Sequence, residues 1–367
     1  MADYYVGLMS GTSMDGIDAV IARFTDSGVD IAATYSQAYP DKLKDELLTA
    51  IREPLAVELD PSGELHLQVG DCFRAAAMAV IELSGIEQGR IRAIGSHGQT
   101  LRHQPNADKP FSLQIGDADI IASGTGITTV ANFREADILA GGQGAPLVPP
   151  FHAWLFHSAA TDTVVANIGG IANITILPAS GSPVIGFDTG PGNGLMDVWT
   201  RQHLDSGFDA GGKWAASGTV IDELLQAMLN DPYFQMEPPK STGFEYFNLD
   251  WLAQFAVGRF EPADVQATIC ELTAASIAAA IAQHAAATRQ TFVCGGGTHN
   301  AELMRRLDHN LPESSVKSTN DADLAPDWVE AVAFAWLAMR TINGETGNLP
   351  SVTGATHTVV LGDIHLP

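Results

Sequence analysis

Cysteine and positive charge are both scarce in this chain of 367 residues. The three cysteines, Cys72, Cys270 and Cys294, lie far apart and form no CxxC pair, which argues against a disulfide framework or a zinc site. Lys and Arg number 19 against 43 Asp and Glu, so the formal net charge is −24. A field of that sign repels phosphate backbones and anionic membranes. We therefore expect neither a nucleic acid nor a membrane as a partner.

The sequence also lacks a long apolar run and a basic N-terminal segment. Its most apolar stretch, residues 274–287, is mostly alanine and contains Gln283 and His284, so we expect it to be too short and too polar to span a bilayer. The first residues include Asp3 and no basic residue, which predicts no signal peptide. With 46% hydrophobic residues the chain can build a folded core. These features predict an acidic globular protein of the cytoplasm.

The order of the predicted elements indicates an α/β fold. Glycine-turn strand hairpins are predicted twice, over residues 4–24 and over residues 163–177, which suggests two related halves. Further strands are predicted at 92–96, 291–294 and 359–361, and helices at 43–52, 65–84, 263–287 and 328–342. Gly85 is expected to end the second of these helices.

Three glycine-rich segments are candidates for nucleotide binding. Segment 11–18 joins two glycines to hydroxyl and acidic side chains; it can present N–H groups to phosphate, but an ordinary turn explains it equally well, and it is not a Walker A loop. Segment 167–173 alone is most simply a hairpin turn, although together the two could hold one polyphosphate. Segment 294–300 could accept a nucleoside, or Asn300 could simply cap a helix. The candidate residues are Gly11, Thr12, Ser13, Met14, Asp15, Gly16, Asp18, Asn167, Gly169, Gly170, Gly295, Gly296, Gly297 and Asn300.

Asp188 is the candidate catalytic base. It follows the apolar residues 184–187 and precedes a glycine-rich loop, the position at which α/β proteins place their chemistry. A carboxylate there can take a proton from a hydroxyl group or from water. The alternative is that Asp188 caps the helix beginning near Gly194. The many glycines in the loop favour the catalytic interpretation.

Polar loops at 95–100, 113–117 and 133–144 suit a polyhydroxylated sugar that carries a carboxylate. Arg134 is the natural partner of that carboxylate or of a phosphate, whereas His97 could be structural. No group of His, Cys or acidic residues has metal-ligand spacing, so we expect any Mg²⁺ to arrive with nucleotide phosphates. The candidate sugar-binding residues in these loops are His97, Gln99, Gln114 and Arg134.

Eight motifs resemble, in order, those of the anhydro-N-acetylmuramic acid kinases, a family of the actin–Hsp70–sugar kinase superfamily. They are GLMSGTSMDGIDA, GSHGQT, LQIGD, FRxxD followed by GGQGAPLVP, NIGGIANIT, GFDTGPGN, VCGGGTHN and PSVTGA, and they extend from Gly7 to about Gly362. The resemblance implies a two-domain, ribonuclease H-like α/β fold with mixed five-stranded sheets and a central cleft. We assign residues 1–131 plus about 350–367 to the first domain and residues 132–349 to the second.

The resemblance also implies a reaction. The protein would use ATP and Mg²⁺ to phosphorylate O6 of 1,6-anhydro-N-acetylmuramic acid while water opens the anhydro ring, giving N-acetylmuramic acid 6-phosphate and ADP in cell-wall recycling. Asp188 would be the base, Glu330 would contact the sugar unless it is only a solvated helix acid, and the protein would be a homodimer. Two alternatives remain open: an ordinary hexose or amino-sugar kinase, and a nucleotide-driven switch like actin or Hsp70.

Overall fold

The computed structural model describes residues 3–11, 14, 16–26, 28–52, 63–105 and 107–367. The chain divides into two compact units, which we call unit 1 (Met1–Phe151 and Trp328–Pro367) and unit 2 (His152–Asp327). Each unit contains one main mixed sheet, and unit 1 also contains a separate two-stranded sheet.

Most of the predicted elements are confirmed to within a few residues. The described strands are β1 (Tyr4–Met9), β2 (Ile17–Thr25), β3 (Gly28–Gln37), β4 (Ile91–Ser96), β5 (Gln99–Gln104), β6 (Phe111–Ile115), β7 (Thr129–Ala131), β8 (Thr163–Ile168), β9 (Ile171–Leu177), β10 (Ile185–Pro191), β11 (Gln290–Cys294), β12 (Ser315–Ser318) and β13 (Asp363–His365). The described α-helices are α1 (Asp41–Arg52), α2 (Glu64–Ser84), α3 (Ala118–Thr125), α4 (Glu135–Leu139), α5 (Pro149–Phe156), α6 (Asn193–His203), α7 (Lys213–Ser217), α8 (Asp222–Leu229), α9 (Leu249–Ala253), α10 (Pro262–His284), α11 (Ala301–Asn310), α12 (Val329–Ile342) and α13 (Pro350–Thr353). Gly85 ends α2 in the left-handed conformation, with φ of +65°, as predicted.

The two main sheets share one strand order, which confirms the predicted relation between the halves. In unit 1, β1 pairs antiparallel with β2 and parallel with β4, and the order is β3-β2-β1-β4-β7-β13. In unit 2, β8 pairs antiparallel with β9 and parallel with β11, and the order is β10-β9-β8-β11-β12. Among the described residues unit 1 therefore has a sixth strand, β13, where five were predicted.

The units divide at other positions than the predicted domains, 1–131 plus about 350–367 and 132–349. Helix α12, assigned by sequence to the second domain, packs on the sheet of unit 1. A Cβ atom added to Gly7 would lie 1.8 Å from the carbonyl oxygen of Ala331, and one added to Gly95 would lie 2.1 Å from that of Phe334. This close approach of helix to sheet brings residues from 328 onward into unit 1.

The predicted closing strand at 359–361 is wrong, since the last described strand is β13, four residues later. Residues 359 and 361 have partners outside any strand pair. The N–H of Val359 donates to Oδ1 of Asn348, and the carbonyl oxygen of Leu361 accepts from the hydroxyl of Thr341. Pairing with β7 begins only after Gly362, which has φ of +85°.

Each unit has its own apolar core. In unit 1, residues of β1, β2 and β4 pack with α1, α2 and α3. In unit 2, strands β8 to β11 pack with α6, α8, α10 and α11. Among the described residues, one helix, α10, is long and apolar enough to cross a membrane by length and composition. It begins earlier than the apolar stretch identified in the sequence. Of its most apolar window, 72% is buried, and Val265, Ile269 and Leu272 belong to the core of unit 2.

Candidate active site

In unit 1, two candidate segments follow neighbouring parallel strands. Leu8 of β1 is paired with Ser96 of β4, and the N–H of His97 donates to the carbonyl oxygen of Leu8 at 3.0 Å. The segment that begins at Ser10 and the segment 97–99 therefore lie at the same edge of the sheet. This is the edge at which α/β sheets bind their ligands.

Gln99 holds the loop between β1 and β2 through hydrogen bonds to its first residues. Its Oε1 lies 2.7 Å from the hydroxyl of Ser10, and its Nε2 donates to the carbonyl oxygen of Gly11 at 3.3 Å. The Ser10 hydroxyl also lies 2.8 Å from the carbonyl oxygen of Gly16. Gln99 is 0% exposed, so its side chain has no free surface for a sugar. The prediction of a direct sugar contact is corrected accordingly: Gln99 holds the loop.

Among the other candidate residues of this loop, the structure describes Met14 and Asp18. Thr12, Ser13 and Asp15 lie outside the described residues. Met14 has φ of +53° and its side chain is buried in the core of unit 1, so only its backbone could reach a phosphate. Asp18 lies on β2, where its Oδ1 accepts from the hydroxyl of Ser36 at 2.5 Å.

His97, Arg134 and Glu330 lie together in unit 1. Arg134 donates from Nη2 to Nε2 of His97 at 2.8 Å and from Nη1 to the carbonyl oxygen of Gly144 at 2.8 Å. Burial and the guanidinium hold the pKa of His97 well below its usual value. Burial lowers the pKa of Arg134 to about 10, although the carboxylates of Glu330 and Asp137 act in the opposite direction. Arg134 thus remains a cation beside a neutral imidazole.

Gln114 presents a buried acceptor. Its Nε2 donates to the hydroxyl groups of Ser112 at 2.8 Å and Thr100 at 3.0 Å. Its Oε1 is buried and has no hydrogen-bond partner among the described residues. Buried oxygen atoms are rarely left unpaired in folded proteins. Gln114 therefore stays a candidate for a ligand contact.

Asp137, to which the sequence analysis gave no role, joins two of the motifs, FRxxD followed by GGQGAPLVP and PSVTGA. Its Oδ2 accepts from the N–H of Gly144 at 2.8 Å, and its Oδ1 accepts from Asn348 and from the Thr353 hydroxyl, both at 2.7 Å. Since the carbonyl oxygen of Gly144 accepts from Arg134, these hydrogen bonds also fix the position of the guanidinium. Asn348 and Thr353 lie more than 200 positions from Asp137 along the chain, so no local pattern could have indicated these two contacts.

In unit 2, Asp188 lies on β10 and is held by a segment that sequence reasoning missed. Its N–H donates to the carbonyl oxygen of Lys240 at 3.2 Å, and its carbonyl oxygen accepts from the Tyr233 hydroxyl at 2.8 Å. Its Oδ2 accepts from the N–H of Thr242 at 3.0 Å. The capping alternative is wrong, because α6 begins at Asn193 with no side-chain cap. The only local signal was the combination of prolines, a glycine and aromatic residues in PPKSTGFEYFN.

The carboxyl group of Asp188 has an unusual acidity. Its pKa is raised to about 7, mainly by burial and also by the Glu245 carboxylate, whereas the Thr242 N–H and Lys240 act in the opposite direction. A carboxylate with a pKa near neutrality is a much stronger base than an exposed one, yet it remains ionised in a large share of molecules. Asp188 is therefore equipped to accept a proton.

The second glycine hairpin is seated against the first turn of α6. The carbonyl oxygen of Gly169 accepts from the N–H of Asn193 at 2.8 Å, and that of Gly170 accepts from Gly192 and Gly194, both at 3.0 Å. A Cβ atom at Gly192 would lie 2.3 Å from the carbonyl oxygen of Gly169. The hairpin therefore contacts the residues that follow β10, at the point where α6 begins.

The third glycine segment adjoins this hairpin, since β8 and β11 are parallel neighbours and Cys294 is paired with Asn167. A Cβ atom at Gly295 would lie 2.5 Å from Oδ1 of Asn167, and one at Gly297 would lie 2.5 Å from the Ile168 side chain. Gly296 is exposed, and a Cβ atom there would meet nothing closer than 3.7 Å. The structure thus brings Asn167, the hairpin and the glycine segment together at one sheet edge.

Asn300 caps a helix, the alternative to nucleotide binding that the sequence left open. Its Oδ1 accepts from the N–H of Leu303 at 2.9 Å and so caps α11. Its Nδ2 lies 3.9 Å from Sδ of Met196, and the residue is only 8% exposed. Both ends of the amide have partners within the protein, and the nucleotide contact of Asn300 stays a prediction.

The fold and these sites define a class of protein. Two units with the same mixed strand order, each carrying a glycine hairpin between its first two strands, form the actin–Hsp70–sugar kinase fold. A solved structure of a ROK family glucokinase from Streptomyces griseus, in complex with glucose and AMPPNP, is 14% identical, with 92% of this chain and 99% of that chain covered and a TM-score of 0.40. That likeness is too low to add to what the strand order shows.

Sequence comparison identifies the family. A family profile described as anhydro-N-acetylmuramic acid kinase matches residues 3–367. Proteins of that name are 50% identical in Xanthomonas oryzae pv. oryzae (98% of this chain and 97% of that protein covered), 48% in Xylella fastidiosa (99% and 96%) and 47% in Shewanella halifaxensis (99% and 98%). The chain belongs to the anhydro-N-acetylmuramic acid kinase family. It is therefore an ATP-dependent kinase of murein recycling rather than a nucleotide-driven switch.

Proposed function

We propose that the protein phosphorylates O6 of 1,6-anhydro-N-acetylmuramic acid with ATP while water opens the anhydro ring. The products are N-acetylmuramic acid 6-phosphate and ADP. The family membership supports the substrate. The observation that carries the mechanism is the buried carboxyl group of Asp188, which has a pKa of about 7.

The bond changes need one base. Asp188 takes a proton from a water molecule whose oxygen forms a bond to C1 of the sugar. The C1–O6 bond breaks, O6 keeps the electron pair, and O6 attacks the γ-phosphorus of ATP as ADP leaves. The raised pKa lets Asp188 accept the proton and release it later near neutral pH. The reaction combines the attack of water in inverting glycoside hydrolysis with phosphoryl transfer. No separate acid is needed to protonate the leaving oxygen O6, because O6 is captured by the phosphoryl group.

Unit 1 supplies groups suited to the sugar. Arg134 is a cation fixed by His97 and Gly144, which fits the carboxylate of the substrate's lactyl group. The Oε1 of Gln114, which has no partner in the described part of the chain, can accept from a hydroxyl or amide N–H group. Glu330 is half-buried beside Arg134 and can accept from a second sugar hydroxyl. His97 acts through Arg134 and not on the substrate directly.

The nucleotide is assigned to the glycine segments. Backbone groups of residues 11–18 and of the hairpin at Gly169 and Gly170 would face the phosphates, and residues 295–297 would face the nucleoside. Mg²⁺ bound to ATP would neutralise charge on the transferred phosphoryl group. We expect this ion to be bound mainly through phosphates and water. We also expect a homodimer in the cytoplasm, as the family resemblance implies.

The test is ADP release from Mg²⁺-ATP with the anhydro sugar, with plain N-acetylmuramic acid, and without sugar. We expect turnover with the anhydro sugar only, and a loss of roughly 10²- to 10⁴-fold in Asp188→Asn, because the amide cannot accept the proton. Equal turnover with the open sugar would indicate an ordinary sugar kinase instead. Turnover that survives in Asp188→Asn would reject the assignment of the base.

A second readout tests ring opening directly. In water enriched in ¹⁸O, attack at C1 places the label in the C1 hydroxyl group of the product at early times. Unlabelled product kept in the same water measures spontaneous exchange. Label at no more than the exchange level would contradict the attack of water at C1.

A further inference from the structure

Two hydrogen-bonding groups of Thr242, its N–H and its hydroxyl, differ in whether they have partners in the described part of the chain. Its N–H donates to Oδ2 of Asp188 at 3.0 Å. Its hydroxyl oxygen is buried and has no hydrogen-bond partner among the described residues. A buried hydroxyl without a partner costs stability, and valine would fill the same space without that cost. The hydroxyl of Thr242 therefore does not contribute to stability in this conformation.

The backbone around Thr242 is tied to that of Asp188. Asp188 donates from its N–H to Lys240, whose Nζ donates to the carbonyl oxygen of Tyr233 at 3.2 Å, and Tyr233 donates from its hydroxyl back to Asp188. The Lys240 ammonium also lies 4.9 Å from the centre of the Tyr233 ring. This closed set of contacts holds Thr242 and the carboxylate at a defined separation, as a preorganised site requires.

The backbone contact places an acceptor, the carboxylate of Asp188, next to the residue that carries this hydroxyl. The hydroxyl is attached to the β-carbon of the residue whose N–H already holds Oδ2, so a change of one staggered χ1 state can aim it at that oxygen. A carboxylate oxygen has lone pairs for more than one donor. Two donors on Oδ2 would leave Oδ1 to take the proton from water.

We propose that Thr242 is a positioning residue for Asp188, with its N–H and, when substrate is bound, its hydroxyl both donating to Oδ2. The inference rests on the proposed role of Asp188 as the base. It goes beyond that role by naming the residue that orients the base and the oxygen that reacts.

The charged groups that act on Asp188 are Glu245, which raises its pKa, and Lys240, which lowers it. Neither is altered by a change at Thr242. A hydrogen bond to the ionised carboxylate stabilises that form, so its loss raises the pKa of Asp188. The rise of turnover with pH should then move to higher pH in a variant that lacks the hydroxyl.

The experiment compares Thr242→Val, which keeps the shape and loses the hydroxyl, with Thr242→Ser, which keeps the hydroxyl. For Thr242→Val we expect a kcat roughly 10²-fold lower, similar KM values for both substrates, a shift of the pH profile to higher pH, and a Tm equal to or above that of the wild type. Thr242→Ser should restore kcat and the pH profile.

Two outcomes would overturn the inference. Thr242→Val with the kcat and pH profile of the wild type would show that the hydroxyl has no part in the reaction. Equal losses of kcat in both variants, together with a lower Tm, would show a purely structural role. Asp188→Asn, measured in the same series, separates this failure from that of the proposed function: if it keeps full turnover, Asp188 is not the base and Thr242 has no base to position.

Discussion

Arg134 donates from Nη2 to Nε2 of His97 at 2.8 Å, and the other imidazole nitrogen of His97 lies 2.8 Å from the carbonyl oxygen of Gly98. An arginine cannot accept a hydrogen bond, so Nε2 is the acceptor and the proton is on Nδ1. A neutral imidazole that is already bonded at both nitrogens is not available as a general acid or base. Its role is to hold the guanidinium that we assign to the carboxylate of the sugar.

Arg134→Lys tests this assignment. A lysine keeps the charge but cannot contact His97, Gly144 and a carboxylate with the same planar geometry. We expect the KM for the anhydro sugar to rise about 10- to 100-fold, the range for loss of charged hydrogen bonds, with a much smaller change in the KM for ATP. Steady-state kinetics with each substrate varied in turn will measure both. An unchanged KM for the sugar would contradict the contact.

The acidity of Asp188 predicts a pH dependence. The base must be ionised to accept a proton, so kcat/KM should rise with pH and level off above about pH 7, the value to which burial raises its pKa. Glu245→Gln should move this rise to lower pH, because the Glu245 carboxylate raises the pKa of Asp188. The measurement is the pH profile of kcat/KM for the sugar. A profile that is flat between pH 5 and 8 would contradict a base with this acidity.

Gln99→Leu distinguishes support of the loop from sugar binding. Leucine has a similar size but cannot bond to Ser10 or to the carbonyl oxygen of Gly11. We expect the KM for ATP to rise about 10-fold, since one or two neutral hydrogen bonds that hold the loop are lost. The KM for the sugar should change less. The reverse pattern would restore the sequence-based assignment of Gln99 to the sugar.

Gly95→Ala tests the close approach of α12 to the sheet of unit 1. The added methyl group would lie 2.1 Å from the carbonyl oxygen of Phe334 and 3.0 Å from Cβ of Ala338, so helix or strand must shift. We expect a loss of about 1–3 kcal/mol in the free energy of unfolding. Gly89→Ala is the matched control, because a Cβ atom there meets nothing within 4 Å. Equal denaturation midpoints for the two variants would argue against this packing.

Much of the fold was predictable because its signals are local. Short apolar segments on either side of glycine turns identified β1, β2, β8 and β9 and so marked both hairpins. The place of α12 was not predictable in this way, because its contact with Gly7 and Gly95 depends on backbones that meet only after folding. The same reason explains the shift of the closing strand to β13.

The residues of the candidate site also differ in whether sequence or tertiary structure revealed their role. Sequence order alone proposed Asp188, His97 and Arg134 as candidates, because each lies in or close to a strand and carries a side chain with recognisable chemistry. Only the tertiary structure separated Gln99 and Asn300, which bond within the protein, from Gln114, whose Oε1 has no partner among the residues that the structure describes. It alone revealed Thr242, because a threonine in an irregular loop has no distinguishing pattern.

By itself, the amino-acid sequence determined the α/β class, the two glycine hairpins and the family, and it proposed the base, since these depend on short motifs and their order. The tertiary structure decided which polar groups are paired with each other. Ser10 meets Gln99 across 89 positions, and Asp137 meets Asn348 across 211. A hydrogen bond is directional and reaches only about 3 Å, so its partner is fixed by where the chain returns in space and not by its neighbours in sequence.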